Sequence, residues 1–213
     1  MLSLGVGKIL RELCLLERPI SQAEIARATG CSTSLVNKVM ATLERKRLVH
    51  KPTARTVAVA NLEYLLLYWA FRRDIEDDPR ELLETSLAAQ ELEERVGRTC
   101  PQLVFTAFTA ARLAGAHPAP YADVYAYDFS EGSRDLDLPT GRNSRLVLLT
   151  LKDDHLKSKA TLSSGLGVVP TRQAYVDLLS IATWEAKYAA MSLSTVDPHL
   201  PLIGSRSEMG EYL

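Results

Sequence analysis

Thr33, Ser34, Asn37 and Lys38 recur at the spacing of one helical face, near the start of a stretch that runs from Ser32 to about Glu44. Short hydroxyl and amide side chains with one ammonium are what a base-reading helix needs. They let the backbone approach the major groove and offer donors and acceptors to base edges and phosphates. Arg45, Lys46, Lys51 and Arg55 follow, cations placed to meet phosphates. A second set of residues carries carboxylates: Asp135 and Asp137 stand at strand spacing, with Asp123 and Asp128 upstream and Gly132-Ser133 just ahead. Paired carboxylates on a rigid strand can hold the metal ions of nucleotidyl transfer. Here Gly132-Ser133 abuts Arg134-Asp135 with no helix between, and residues 129–143 contain Gly132, Pro139, Gly141 and Asn143. The stretch therefore reads as a solvated acidic loop, and no lysine lies between Lys51 and Lys152 to steady a triphosphate.

The other reactive residue types form no pattern. His50, His117, His155 and His199 are scattered without ligand spacing and read as surface or turn residues. Asp153-Asp154-His155 reads as a turn at a strand end. Cys14, Cys31 and Cys100 are odd in number and widely spaced, which speaks against a disulfide framework or a zinc site. Cys31 reads as a small apolar residue packed under a turn. No phosphate-binding, dinucleotide-binding or Gly-x-Ser-x-Gly motif occurs. No catalytic residue, metal ligand or cofactor is expected.

Residues 2–16 carry an apolar stripe of Leu4, Ile9, Leu10, Leu13 and Leu16, with Lys8, Arg11 and Glu12 largely off it, and Pro19 ends the helix. Ser21 and Glu24 form a capping box that starts a two-turn helix ending at Gly30. Ser32 caps the next helix, whose inner face is Val36, Val39, Met40 and Leu43. Residues 48–60 then read as a short hairpin. The charges segregate accordingly. Residues 1–60 hold 10 Lys+Arg against 4 Asp+Glu, a balance of +6, and the other 153 hold 15 against 22, a balance of -7. A basic segment joined to an acidic one suggests that only the first meets a polyanion.

Ser-Gln-Ala-Glu-Ile-Ala-Arg-Ala-Thr-Gly, Ser-Thr-Ser-Leu-Val-Asn-Lys and Leu-Glu-Arg-Lys-Arg-Leu-Val-His-Lys together resemble the winged helix-turn-helix of prokaryotic transcriptional regulators, over about residues 3–60. The resemblance implies double-stranded DNA as partner. That family often has glycine where this chain has Arg47.

Beyond residue 60, residues 61–73 suit a connecting helix and residues 82–96 read as another, with Glu81, Glu84, Glu91, Glu93 and Glu94 on solvated sides. Strands are expected at 104–106, 121–127, 145–151 and 167–169, and helices at 107–113, 171–181 and 183–193. Phe-Thr-Ala-Phe-Thr-Ala-Ala-Arg-Leu-Ala-Gly-Ala ahead of Tyr-Ala-Asp-Val-Tyr-Ala-Tyr, with Val-Val-Pro and Gln-Ala-Tyr-Val-Asp-Leu-Leu later, resembles the C-terminal domain of abortive-infection type IV antitoxins, over about residues 100–195. That domain is related in fold to nucleotidyltransferases, and the resemblance implies an autorepressor with a toxin protein as partner.

The expectation is an α+β chain: a winged helix-turn-helix at 1–60, a helical connector at 61–98, and a mixed α/β effector or partner-binding domain with a small sheet at 99–213. It is expected to act as a DNA-binding transcriptional regulator and to form a homodimer on a two-fold site. The alternative is a nucleotidyltransferase-like enzyme using Asp123, Asp135 and Asp137. No apolar run approaches the roughly 20 residues of a membrane span and no secretory signal is read, so a reducing cytoplasm is the expected setting.

Overall fold

The computed structural model describes residues 3–130 and 136–202. They form a mixed α+β structure with two sheets, one of three strands and one of six. The first helix, α1 (Leu4–Leu15), is followed by β1 (Ile20–Ser21), α2 (Gln22–Thr29), α3 (Thr33–Arg45), β2 (Val49–His50) and β3 (Thr56–Val59). The expected capping box is present: Ser21 Oγ accepts from Glu24 N at 3.1 Å, and Ser21 N donates to Glu24 Oε2 at 2.9 Å. Gly30 closes α2 in the left-handed region at φ 66°. β3 is the central strand between β1 and β2, both antiparallel to it.

The rest of the chain contains α4 (Leu62–Ala70), a 3-10 turn (Ile75–Asp77), β4 (Arg80–Thr85), α5 (Ala89–Thr99), β5 (Val104–Phe105), α6 (Ala107–Leu113), β6 (Asp123–Asp128), β7 (Ser144–Thr150), α7 (Asp154–Lys159), β8 (Thr161–Ser163), β9 (Leu166–Val168), α8 (Thr171–Ser180) and α9 (Trp184–Ser194). The six-stranded sheet runs β4-β7-β6-β5-β9-β8, with β6/β7 and β5/β9 parallel and the other pairs antiparallel. Val124, Ala126, Tyr127 and Leu146 to Leu149 bury the middle of this sheet.

Three expectations change here. The helix expected at 82–96, within the helical connector, divides into strand β4 and helix α5, and β4 enlarges the small sheet that was expected. Leu82-Leu83 between Glu81 and Glu84 fits a helix period as well as a strand, so only pairing decides. Arg80 to Thr85 lie opposite Leu149 to Ser144 along the full edge of β7. Charged side chains on an exposed edge strand hinder further pairing. Glu93, expected on a wet face, is fully buried. It accepts hydrogen bonds from Thr109 Oγ1 at 2.8 Å and Tyr121 Oη at 2.6 Å, and pairs with Arg112. Asp153-Asp154-His155 opens helix α7 rather than forming a turn: Asp153 Oδ1 accepts from Leu156 N at 3.0 Å, and Asp153 and His155 are both buried.

Those two residues belong to a polar network that locks α1 onto the second half of the chain. Arg11 Nη1 donates to Asp153 Oδ2 at 2.8 Å and lies 3.1 Å from His155 Nδ1, while its Nε donates to Gln173 Oε1 at 2.7 Å. A guanidinium can only donate, so His155 Nδ1 accepts and its Nε2–H donates to Glu12 Oε2 at 2.9 Å. Lys159 Nζ adds a contact to the same Glu12 oxygen at 2.8 Å. The His155 hydrogen bond and the Lys159 charge outweigh burial and hold the Glu12 carboxyl at about 2, below its ordinary range. Gln173 passes the network on to Asp177 at 2.9 Å, which also accepts from Thr106 Oγ1 at 2.7 Å, Tyr127 Oη at 2.8 Å and Arg73 Nε at 3.4 Å. Arg73 in turn holds Asp78. Full burial raises the Asp177 pKa, and these donors oppose the rise.

Candidate nucleic-acid interface

Helix α3 is amphipathic in the strict sense. Val36, Val39, Met40 and Leu43 are buried, whereas Thr33, Ser34, Asn37, Lys38 and Ala41 are exposed. The buried set packs α3 on α1 and α2 and fixes the direction of the exposed set. Ser32 Oγ accepts from Leu35 N at 3.2 Å and sharpens the helix start. Amide groups of the first turn that are not capped, together with the helix dipole, favour an anion at this end. Cys31 supports the turn from below: its Sγ lies 3.6 Å from Gly5 O in α1, and its backbone N–H donates to Thr29 Oγ1 at 3.3 Å.

The hairpin of β2 and β3 carries the other cations. Lys51, Pro52, Thr53, Ala54 and Arg55 are all exposed at its tip. Thr53 orders this loop. Its Oγ1 lies 2.7 Å from Thr56 Oγ1 and accepts from the backbone N–H of Arg55 at 3.3 Å and of Thr56 at 3.2 Å. This is a threonine turn, legible in principle from Thr53-x-x-Thr56 and not used in reading the sequence. Lys51 Nζ rests 2.8 Å from Glu44 Oε2, with both side chains open to water. Exposed ion pairs contribute little, so exchanging Glu44 for a phosphate costs little.

Of the eight residues expected at a nucleic-acid surface, Thr33, Ser34, Asn37 and Lys38 share one exposed face, Lys51 and Arg55 share the hairpin tip, and Arg45 is exposed in the last turn of α3. Lys46 differs: its ammonium lies 5.6 Å from the ring centre of Tyr68 on α4, which Arg72 also covers at 4.6 Å. Arg47 is the exposed residue that turns the chain from α3 toward β2, at φ 58°.

The carboxylates of the enzymatic alternative stand apart from this surface. Asp123 binds Arg145 through both oxygens, at 2.8 and 2.7 Å. Asp137 is exposed and 3.8 Å from Arg95, and Asp135 lies outside the described residues. Among the described residues no group of three or more His, Cys, Asp or Glu is placed to hold a metal ion, and no helix is long and apolar enough to cross a membrane. Comparisons with protein-family models, with curated proteins and with solved structures found no match to this chain.

Proposed function

We propose that residues 1–60 act as a winged helix-turn-helix that binds double-stranded DNA, and that the chain is a transcriptional regulator with no chemistry of its own. Helix α3 enters the major groove, where Ser34 and Asn37 read base edges. Lys38, Arg45, Lys51 and Arg55 meet phosphates, with the β2–β3 hairpin as the wing. One observation carries the reading: the first turns of α3 present Thr33, Ser34, Asn37, Lys38 and Ala41 away from the core, with no acidic side chain among them, beside a hairpin tip bearing two exposed cations.

The reading brings a homodimer with it, because one small module makes few base contacts and two-fold symmetry doubles them. Trp184, Tyr188 and Met191 form an exposed apolar stripe on α9, at 66%, 50% and 44% exposure, suited to that role. The toxin partner implied by the antitoxin resemblance belongs to the same acidic half of the chain.

The test is selection of bound duplexes from a random-sequence pool by the full chain, followed by fluorescence anisotropy on the enriched site at several salt concentrations. The full chain is required because Arg11 and Glu12 of α1 find their partners beyond residue 150. Enrichment of a two-fold site, weakened by salt, supports the reading. Absence of duplex binding at low salt overturns it, and light scattering that gives 23.5 kDa for the free chain and one chain per duplex in the complex would remove the dimer.

A further inference from the structure

A cavity of about 190 Å³ opens where α1 and α4 meet the end of the six-stranded sheet. Arg11 of α1, Trp69 of α4 and Arg72, Asp74 and Asp77 after α4 line it, with Tyr127 of β6. Several of its groups have bonding capacity left over. The Trp69 indole is buried, at 1% exposure, and its Nε1–H has no hydrogen-bond partner among the described residues. Arg11, also buried, engages Gln173, Asp153 and His155 through Nε and Nη1, and its Nη2 bonds none of the described residues. Arg72 and Asp77 are exposed at the rim.

The charges define what fits. The inward cations are Arg11, Arg72 and Arg73, and the carboxylates are Asp74, Asp77, Asp78 and Asp153. Arg11 with Asp153 and Arg73 with Asp78 neutralise each other. Arg72 and Asp77 remain for a ligand, with the Asp74 oxygen that does not cap the 3-10 turn. A simple anion entering the cavity meets those two aspartates, and a simple cation meets Arg72 and the free Nη2 of Arg11. A molecule bearing both signs satisfies both. The volume is below the roughly 300–1,000 Å³ of pockets for drug-sized ligands.

We propose that this cavity binds a small zwitterion of amino-acid size, its carboxylate received by Arg11 Nη2 and Arg72, its ammonium by Asp77 and the Asp74 oxygen that does not cap the 3-10 turn. Such a ligand bridges α1 to the segment that follows α4. Its binding does not depend on whether α3 enters DNA.

The test uses the full chain carrying Trp184→Phe, so that tryptophan emission reports Trp69 alone; Trp184 is exposed. Each of the proteinogenic L-amino acids is titrated to about 10 mM, a range that covers weak millimolar sites, with thermal denaturation in parallel. The expected result is a saturable change in Trp69 emission and a raised midpoint for one or a few of them. The deaminated and the decarboxylated analogues of that amino acid bind about tenfold more weakly, a loss of about 1.4 kcal/mol. Arg72→Ala and Asp77→Ala each weaken binding to a similar degree while the unliganded protein keeps its midpoint. No saturable response to any amino acid overturns the proposal. So does equal binding of an analogue that lacks one charge, or binding that survives both variants.

Discussion

The tip of the hairpin and the root of α1 use the same residue types to opposite ends. Arg55 and Lys51 are exposed, and Lys51 meets Glu44 only in an exposed ion pair. Arg11 is buried against Asp153, His155 and Gln173, and its neighbour Glu12 against His155 and Lys159. A count of charges in residues 1–60 treats both arginines as part of the same basic balance. The structure divides them: Arg11 serves the fold, and Arg55 is free to meet a partner. The cations left to a partner are therefore the exposed ones, Lys38, Arg45, Lys51 and Arg55 among them, rather than every basic residue of the segment.

The largest effect expected from this contrast lies in the buried network. Asp153→Ala leaves Arg11 buried without its carboxylate and removes the cap of α7. Breaking one side of a buried pair costs about 3–5 kcal/mol, and urea unfolding should show a loss of that order. Arg55→Ala should leave the urea midpoint in place. Equal, small losses in both variants would erase the distinction between the two regions.

Glu12 sharpens the same contrast through pH. Its folded pKa of about 2 lies below the ordinary 4.5, so the folded state holds the carboxylate more strongly than the unfolded chain does. The stability this contributes is fully present above the ordinary carboxyl range and is lost as pH falls from about 4.5 toward about 2. Asp177, with a raised pKa, works in the opposite sense. The difference between the natural chain and Glu12→Gln cancels the Asp177 contribution. That difference in unfolding free energy should shrink steadily over this acidic window, and a difference independent of pH would contradict the network geometry.

On the exposed side the effects are smaller and appear in binding. Asn37→Ala should cost about 1–3 kcal/mol on the selected site and relax base preference, the usual value of a bidentate base contact. Arg55→Ala should weaken all duplexes alike and reduce the salt slope by about one. Anisotropy titrations with specific and scrambled duplexes separate the two. If Asn37→Ala and Arg55→Ala behave alike, α3 is not the reading element.

What the sequence made legible follows the same division. Elements with local signals were readable: the Ser21–Glu24 capping box, Gly30, the Ser32 cap and the two faces of α3 all depend on neighbours within a few residues. So were the apolar runs that became β6 and β7. The edge strand β4 was not, because its alternation is weak and only Thr85 is buried in it. The short β1 depends on pairing with the distant β3, and β8, although it forms a tight hairpin with β9, carries too few residues for a period. Arg11, His155, Glu93 and Asp177 were unreadable as buried groups. Arg11 and Asp153 are 142 positions apart, and nothing near either residue announces the other. The candidate surface was readable because it consists of side chains with few partners in the fold. Lys46, drawn to Tyr68, is the exception within it.

The smallest effect concerns two left-handed residues that bound α3. Gly30 at φ 66° precedes it and Arg47 at φ 58° follows it, and both are exposed. The left-handed region costs a residue with a Cβ about 1–2 kcal/mol. Glycine escapes that cost but loses about 0.5–1 kcal/mol more backbone entropy on folding. Arg47→Gly should therefore stabilise the chain, by up to about 1 kcal/mol, and Gly30→Ala should destabilise it by a similar amount. No atom lies within 4 Å of a Cβ built on Gly30, so its change measures backbone conformation alone. Opposite signs in urea unfolding would show that α3 is closed at one end by a relaxed turn and at the other by a strained one. A destabilising Arg47→Gly would mean that the Arg47 side chain stabilises the turn by more than its backbone strain costs.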